Sequence, residues 1–405
     1  MVKLLKKTIC QALVLTAVYG WIASLVHAQE QPPGRAIPET SAPDTHRMLK
    51  HAQTALSAGD YVTAENEYDR LLGMGVRSAA VYSNLGVVYL RTGRLDKAIS
   101  VLKKARELAP NAAGVRLNLG LAFFRQREFA QASRYFGEVL SMDARNAQAH
   151  YLKGTCDFMT DDFVSAVRAF EPIEQVESDD LEYLFMLGTS YGMLKRDADS
   201  RRVFEQLVEA GGETPHLHLL LGKAYLALGQ VEKAESELQQ ATEGESMPYA
   251  HYYLGVLYRQ LGRTQLAAAE FEKEMQIAPN NPWAYKELSA IKLDQGDIQG
   301  TISILEKGNV ANPGTADLLA SLGRAYLRVG ETARAVTTLK RAVALDPKSS
   351  SYHYELGRAY LKTGHNAEAS QEMALARSLL HEGFEGQMGA LSRDRIPGAN
   401  PDAPH

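Results

Sequence analysis

The sequence contains very little cysteine. Cys10 and Cys156 are the only two thiols among 405 residues, and Cys10 lies within an apolar segment at the N-terminus. If that segment is removed, one thiol remains and no disulfide can form within the chain. The stability of the protein must then come from packing.

The sequence also lacks a strong bias of charge. The formal net charge is −4, and no run of basic residues interleaved with aromatics marks a nucleic-acid surface. We therefore expect no nucleic-acid partner. Apolar residues make up 45% of the chain and recur at regular spacing, which excludes a chain that is disordered throughout.

Catalytic motifs are missing as well. The sequence contains no G-x-S-x-G nucleophile elbow, no Walker loop, no H-E-x-x-H zinc motif and no dinucleotide-binding fingerprint. These absences predict a protein that is not an enzyme, with no catalytic residue, no cofactor and no bound metal.

The first 28 residues have the features of an export signal. Lys3, Lys6 and Lys7 precede an apolar run over residues 9–26, and Val26-His27-Ala28 then places small residues at the expected cleavage point. We predict a signal peptide over 1–28, followed by a proline-rich linker over 29–44. An uncleaved membrane anchor is the alternative, because the apolar run reaches the lower limit for crossing a bilayer.

The most informative feature is a repeat of 34 residues, with one step of 33. Small residues recur twelve positions after the repeated glycine, from Ala98 to Ala369, and an aromatic ring often follows it by three, as at Tyr89. A fixed period of this length predicts stacked helical hairpins. The glycines are Gly86, Gly120, Gly154, Gly188, Gly222, Gly255, Gly323 and Gly357, with Ser289 in the one gap.

One repeat, over residues 82–110, has the sequence YSNLGVVYLRTGRLDKAISVLKKARELAP. It resembles the tetratricopeptide repeat, whose pattern is W/Y-x2-L-G-x2-Y, then A-x3-F, A and P. The resemblance implies an all-α, right-handed superhelical solenoid of about ten hairpins, each with a helix A and a helix B. We place the repeats at 45–78, 79–112, 113–146, 147–180, 181–214, 215–247, 248–281, 282–315, 316–349 and 350–383, and expect a disordered tail over 384–405.

Several polar or reactive residues fall at packing positions of the repeat. Cys156 occupies a slot that Val88 and Ala122 fill elsewhere, so we expect a buried, inert thiol. Lys153 and Asp157 are spaced to form an ion pair on a normally buried stripe. Four histidines share the fourth position of their repeats, which favours structural roles over metal binding: His150, His218, His251 and His353.

The resemblance also implies a concave groove lined by helix A, at positions 2, 5, 6, 9, 12 and 13 of each repeat. Three zones of candidate partner-binding residues result. The first zone has Asn84, Arg91, Asn118 and Arg125, similar to an asparagine ladder that holds a peptide backbone. The second has aromatic or apolar residues: Tyr151, Phe158, Phe185, Met193, Tyr249, Tyr252, Tyr253 and Trp283.

The third zone is basic and consists of Arg324, Arg328, Arg358 and Lys362, which the repeat stacks on adjacent helices. Two alternatives remain open at this point. About half of the aromatic residues are expected to pack against neighbouring helices rather than face a partner. Glu355 and Asp317 are placed to neutralise part of the basic zone.

These observations predict a non-catalytic scaffold or adaptor of the cell envelope that binds a peptide or partner protein. The alternative is an accessory subunit that recruits substrates for an envelope enzyme, such as a glycosyltransferase, or for an assembly complex. The signal predicts export to a periplasmic or extracellular location, with no membrane insertion after cleavage. An uncleaved signal would instead leave an N-terminally anchored form.

The predicted signal is testable on the protein from its native cell. Mass spectrometry of the N-terminus should find a chain that begins at Gln29, because cleavage is expected directly after Ala28. A chain that begins at Met1 in the membrane fraction would support the anchored form instead.

Overall fold

The structure is a computed structural model, and it describes residues 42–243 and 247–393. In these ranges the chain forms twenty α-helices and one short 3-10 helix, with no β-strand. The predicted all-α array of helical hairpins is confirmed. The predicted signal peptide, nearly all of the linker and the last twelve residues lie outside the described residues.

The helices alternate as helix A and helix B of successive hairpins. A 3-10 turn, Glu171–Ile173, follows α8. The α-helices are α1 (Ala42–Ser57), α2 (Tyr61–Gly73), α3 (Ala79–Arg91), α4 (Leu95–Leu108), α5 (Ala113–Arg125), α6 (Phe129–Met142), α7 (Ala147–Met159), α8 (Phe163–Phe170), α9 (Leu181–Met193), α10 (Asp197–Gly211), α11 (Pro215–Leu228), α12 (Val231–Ala241), α13 (Ala250–Gln260), α14 (Thr264–Ile277), α15 (Pro282–Asp294), α16 (Ile298–Ala311), α17 (Ala316–Arg328), α18 (Thr332–Leu345), α19 (Ser350–Lys362) and α20 (Asn366–Arg393).

Two helix boundaries differ from the sequence prediction. The first helix begins at Ala42, inside the predicted linker, and the last continues to Arg393, ten residues into the predicted disordered tail. The last described helix therefore extends beyond the predicted end of the repeat array. Residues 383–393 contain three glycines and no regular apolar period, so the sequence pattern does not indicate a continued helix.

Seven of the described hairpins are closed by contact between a helix A glycine and a large side chain sixteen residues later. In the N-terminal body, which is described from residue 42 to Glu237, a Cβ added to Gly154 would lie 2.5 Å from the Phe170 ring. In the C-terminal body, which begins at Leu238 and is described to residue 393 apart from 244–246, one added to Gly255 would lie 2.8 Å from Phe271. Only glycine lets the two helix axes approach this closely.

The small residue twelve positions after the glycine touches the same crossing. The Ser200 hydroxyl donates a hydrogen bond to the Gly188 carbonyl oxygen at 2.9 Å. Where Ser289 replaces glycine, the Thr301 hydroxyl donates to the Ser289 carbonyl oxygen at 3.4 Å. The repeat period in the sequence therefore marks the points at which helix A and helix B cross.

The packing predictions for the hairpin α7–α8 are confirmed. Cys156 is fully buried, and burial raises the pKa of its thiol. The Lys153 ammonium lies 2.6 Å from the Asp157 carboxylate, which also accepts a hydrogen bond from the Ser133 hydroxyl. Burial raises the pKa of Asp157 although both of these partners oppose the shift.

The glycine contact gives a stability prediction. Changing Gly154→Ala should lower the free energy of unfolding by about 1–3 kcal/mol, because the new methyl group forces Phe170 or the helix backbone to move. Chemical denaturation of the full chain measures the effect. The matched control is Gly73→Ala at the end of α2, where an added Cβ meets nothing within 4 Å. Equal midpoints for the two variants would contradict a tight crossing.

Candidate partner-binding surface

Neighbouring A helices pack against each other through their fifth and twelfth positions. In the N-terminal body, the ring of Phe158 on α7 lies 5.8 Å from that of Phe185 on α9, and the ring of Tyr151 lies 6.4 Å from that of Tyr183. Tyr151 and Phe185 are each 5% exposed, and Phe158 is fully buried. These three candidates of the aromatic zone therefore belong to the core.

Two further aromatic candidates are buried in the C-terminal body. Tyr252 is 1% exposed and Tyr253 is fully buried, with their ring centroids 5.1 Å apart. Burial raises the pKa of Tyr252 well above its usual range. The interpretation of Tyr252 and Tyr253 as exposed anchors was wrong, because their positions face the neighbouring helices of the hairpin stack. The alternative that about half of the zone packs internally describes the structure better.

Trp283, at the start of α15, is partly exposed. Its neighbour Lys286 begins a chain of polar contacts that reaches two further A helices. The Lys286 ammonium lies 5.3 Å above the Trp283 ring and 3.2 Å from the Asp317 carboxylate on α17. The Tyr352 hydroxyl on α19 donates to Asp317 at 2.7 Å. Burial acts to raise the pKa of Asp317, but the charge of Lys286 and these hydrogen bonds lower it overall.

The asparagine zone is half-buried. Asn84 and Asn118 are both partly exposed on successive A helices, and the Arg125 guanidinium donates a hydrogen bond to the Leu90 carbonyl oxygen near the end of α3. Arg91 is also half-buried. The structure thus gives Arg125 a role in joining two helices, while the binding of a peptide backbone by the two asparagines stays a prediction.

The basic zone lies at the surface of the C-terminal body. Arg324, Arg328, Arg358 and Lys362 are all exposed. Arg324 donates to the Ser321 hydroxyl at 3.0 Å, and Lys362 donates to the Leu327 carbonyl oxygen at 3.2 Å. Glu355 pairs with Arg358 at 3.0 Å, so the expected partial neutralisation occurs at Arg358.

Sequence reasoning missed two exposed apolar side chains on α19. Tyr354 is 51% exposed and Leu361 is 49% exposed, although they occupy the fifth and twelfth positions that are buried on α7 and α9. Their position within the repeat was visible in the sequence. Their exposure depends on what lies beside α19, which the repeat pattern does not specify.

The fourth-position histidines are paired with acids nineteen residues later on helix B. The ring nitrogen to carboxylate distances are 2.8 Å for His218–Glu237, 2.6 Å for His251–Glu270 and 2.5 Å for His353–Glu372. Ala169 stands at the corresponding place for His150, which instead contacts the Ala144 carbonyl oxygen. These contacts support structural roles. Among the described residues, no three His, Cys, Asp or Glu side chains are grouped to hold a metal.

A cleft of about 550 Å³ lies beside α10, α11 and α12 in the N-terminal body. The rings of Phe204 and Tyr225 meet edge to face there at 6.0 Å, and the Lys233 ammonium lies 5.1 Å over Tyr225. Arg201 and Glu205 bring opposite charges to the same lining. This mixture does not favour one class of ligand.

The sequence was compared with models of known families. The tetratricopeptide repeat model matches residues 49–113, 117–171, 185–248 and 219–282, and a second model described as a TPR repeat matches residues 316–364. The chain belongs to the tetratricopeptide repeat family. Among curated proteins, none matches this tetratricopeptide repeat protein significantly.

A solved structure of a tetratricopeptide repeat protein resembles it in fold, and two other solved structures match at lower TM-scores. A protein from Parabacteroides merdae is 18% identical with a TM-score of 0.51, covering 61% of this chain and 98% of its own. MamA from Desulfovibrio magneticus is 24% identical with a TM-score of 0.37, over 42% and 97%. The APC/C hetero-tetramer Cut9–Hcn1 gives 14% identity and a TM-score of 0.38, over 83% and 93%.

Over the described ranges 42–243 and 247–393, no helix is both long enough and apolar enough to cross a bilayer. The predicted signal segment lies outside these ranges.

The burial of the aromatic zone can be tested by comparing two of its residues. Tyr252→Ala should destabilise the C-terminal body by about 3–5 kcal/mol, because it empties a fully packed site. Trp283→Ala should change stability far less, since its ring is partly exposed and only one face contacts Lys286. Thermal and chemical denaturation measure both effects. A stable Tyr252→Ala protein would restore Tyr252 as a candidate anchor.

Proposed function

We propose that this tetratricopeptide repeat protein is a non-catalytic scaffold that binds a protein partner along the exposed faces of its A helices. The observation that carries the proposal is the exposed set on α15, α17 and α19. Aromatic and cationic surface stays in solvent at Trp283, which is partly exposed, and at Arg324, Arg328, Tyr354 and Arg358, which are exposed. Aromatic and arginine side chains are the most common anchors of protein interfaces.

The contacts among buried ionisable groups also favour a scaffold. The three histidine–glutamate pairs join helix A to helix B. The Lys153–Asp157 pair lies within α7, and both of its side chains contact the Ser133 hydroxyl of α6. Catalytic groups, in contrast, are aimed at a cleft where a substrate can approach them. These contacts therefore stabilise the packing of the helices.

We also propose that the scaffold is exported across the membrane and works in the cell envelope. Support comes from the sequence alone, through the three lysines, the apolar run and the small residues before Gln29. A scaffold in that compartment cannot rely on an internal disulfide, and the closely packed hairpins fit this requirement.

A photo-crosslinking experiment tests the scaffold. The full chain, expressed in its native cell, carries a photoreactive phenylalanine at Trp283 or Ser321 on the A helices. Control positions are Val310 and Leu266 on B helices, which are 81% and 50% exposed. We expect one protein to be captured from the A-helix positions only. Equal capture from both sets, or none from the A helices, would contradict the proposed binding face.

The location is measured in the same cells. Fractionation should recover the crosslinked complex with envelope proteins. Recovery in the cytosolic fraction would contradict the envelope assignment while leaving the binding face intact.

A further inference from the structure

One side of α19 presents an apolar and basic stripe. Tyr354 and Leu361 are seven residues apart, or two helical turns, so their side chains share a face. Both are about half exposed. Arg358 lies between them on the same stripe and Lys362 follows Leu361. We call this surface, formed by Tyr354, Arg358, Leu361 and Lys362, the α19 seat.

The contacts of α7 show what such positions do elsewhere in the molecule. Phe158, at the twelfth position, packs against Phe185 of the following helix A, and Tyr151, at the fifth, stacks on Tyr183 of the same helix. These positions of one helix A are therefore the surface that receives the next. Tyr354 and Leu361 are the equivalent residues of α19, and they are uncovered in the described part of the chain.

Two ion pairs between A helices of the C-terminal body have the same order of charge along the chain. Arg259, at a twelfth position, pairs with Glu287 of the next helix A. Lys286, at a fifth position, pairs with Asp317 of the next. In both pairs the earlier helix provides the cation and the later helix provides the acid. A helix that follows α19 in the same way would therefore present carboxylates.

The groups around the seat leave its positive charge available. Glu355 holds Arg358 from one side at 3.0 Å, yet the Arg358 side chain stays 47% exposed. Asp317 is occupied by Lys286 and Tyr352. Arg324 and Arg328 on α17, the preceding helix A, are two further exposed cations of the same body. The surface is therefore apolar at Tyr354 and Leu361 and cationic at Arg358 and Lys362.

We propose that the α19 seat binds an acidic amphipathic helix of the partner protein, placed as a further helix A would be. Apolar side chains of that helix cover Tyr354 and Leu361, and its carboxylates pair with Arg358. This inference rests on the proposed scaffold function and specifies the chemistry of the partner. A second copy of the chain fits poorly, because a symmetric contact would set Arg358 and Lys362 against their own copies.

The probe for this site is a synthetic amphipathic helix of about 20 residues, which spans about 30 Å. It carries leucine on one face and glutamate on the flanks, and its control carries lysine in place of glutamate. Fluorescence anisotropy with the full chain should show saturable binding of the glutamate helix, weakened by salt. The lysine helix should bind at least about tenfold more weakly, because it opposes the charge of the seat.

Variants assign the binding to the seat. Leu361→Ala and Tyr354→Ala should each weaken binding about tenfold with little change in stability, since both side chains are half exposed. Arg358→Glu should weaken binding and reduce its salt dependence. The matched controls are Leu266→Ala, whose side chain is 50% exposed on α14, and Arg201→Glu, whose guanidinium is exposed on α10. Neither control should alter binding.

Three kinds of outcome would overturn the inference. The first is binding without the proposed specificity, which means either equal binding of the two helices or equal effects of Leu361→Ala and Leu266→Ala. The second is light scattering that shows a dimer of the full chain which Tyr354→Asp dissociates. The third is tighter probe binding after removal of residues 394–405, which would assign the seat to the chain's own last residues.

The proposed function is separated from this inference by the partner captured at Trp283. If capture persists in Leu361→Ala and Arg358→Glu, the scaffold function stands and the α19 seat is refuted. If no A-helix position captures a protein, the scaffold function itself fails, whatever the probe does. Loss of capture in both seat variants and its retention in Leu266→Ala supports both.

Discussion

The close crossing of helix A and helix B is the constraint on which the rest of the structure depends. At Gly154 and Gly188 the space for a Cβ is already taken by a phenylalanine ring of the same hairpin. The contact fixes the distance and rotation of the two helices, because interdigitated side chains leave few alternative arrangements. Each hairpin therefore meets its neighbours with the same faces, and surface residues are placed by their position in the repeat.

The local nature of this contact explains what the sequence could predict. The crossing involves residues twelve to sixteen apart, so the period revealed the hairpins, the buried Cys156 and the Lys153–Asp157 pair. Exposure on helix A is decided by the adjacent hairpin. Tyr252 and Tyr354 share the fifth position, yet one is 1% and the other 51% exposed. The repeat pattern predicts the same exposure for both residues, and only the packing beside each helix makes their exposures differ.

Polar contacts are used repeatedly inside the array as well as apolar ones. The histidine–glutamate pairs at a spacing of nineteen connect helix A to helix B at a second point beside the glycine crossing. At Glu270, burial acts to raise the carboxyl pKa, but hydrogen bonds from His251 and Lys273 lower it overall. The ionised form is thus favoured by the fold, and the pair adds stability above the pKa of the unfolded carboxyl and loses it as the pH falls.

In a repeat array, the residues that stabilise the fold can be different from the residues that bind a partner. A globular core does not separate them in the same way. Residues between two A helices, such as Phe158 and Phe185, are needed by both hairpins, so their substitution damages the fold. The equivalent residues of α19 contribute little to the core because half of each side chain is in solvent. The side chains that join one repeat to the next elsewhere are therefore exposed at α19, where they have no structural role. Substitutions at these positions can suit a partner while the array keeps its stability.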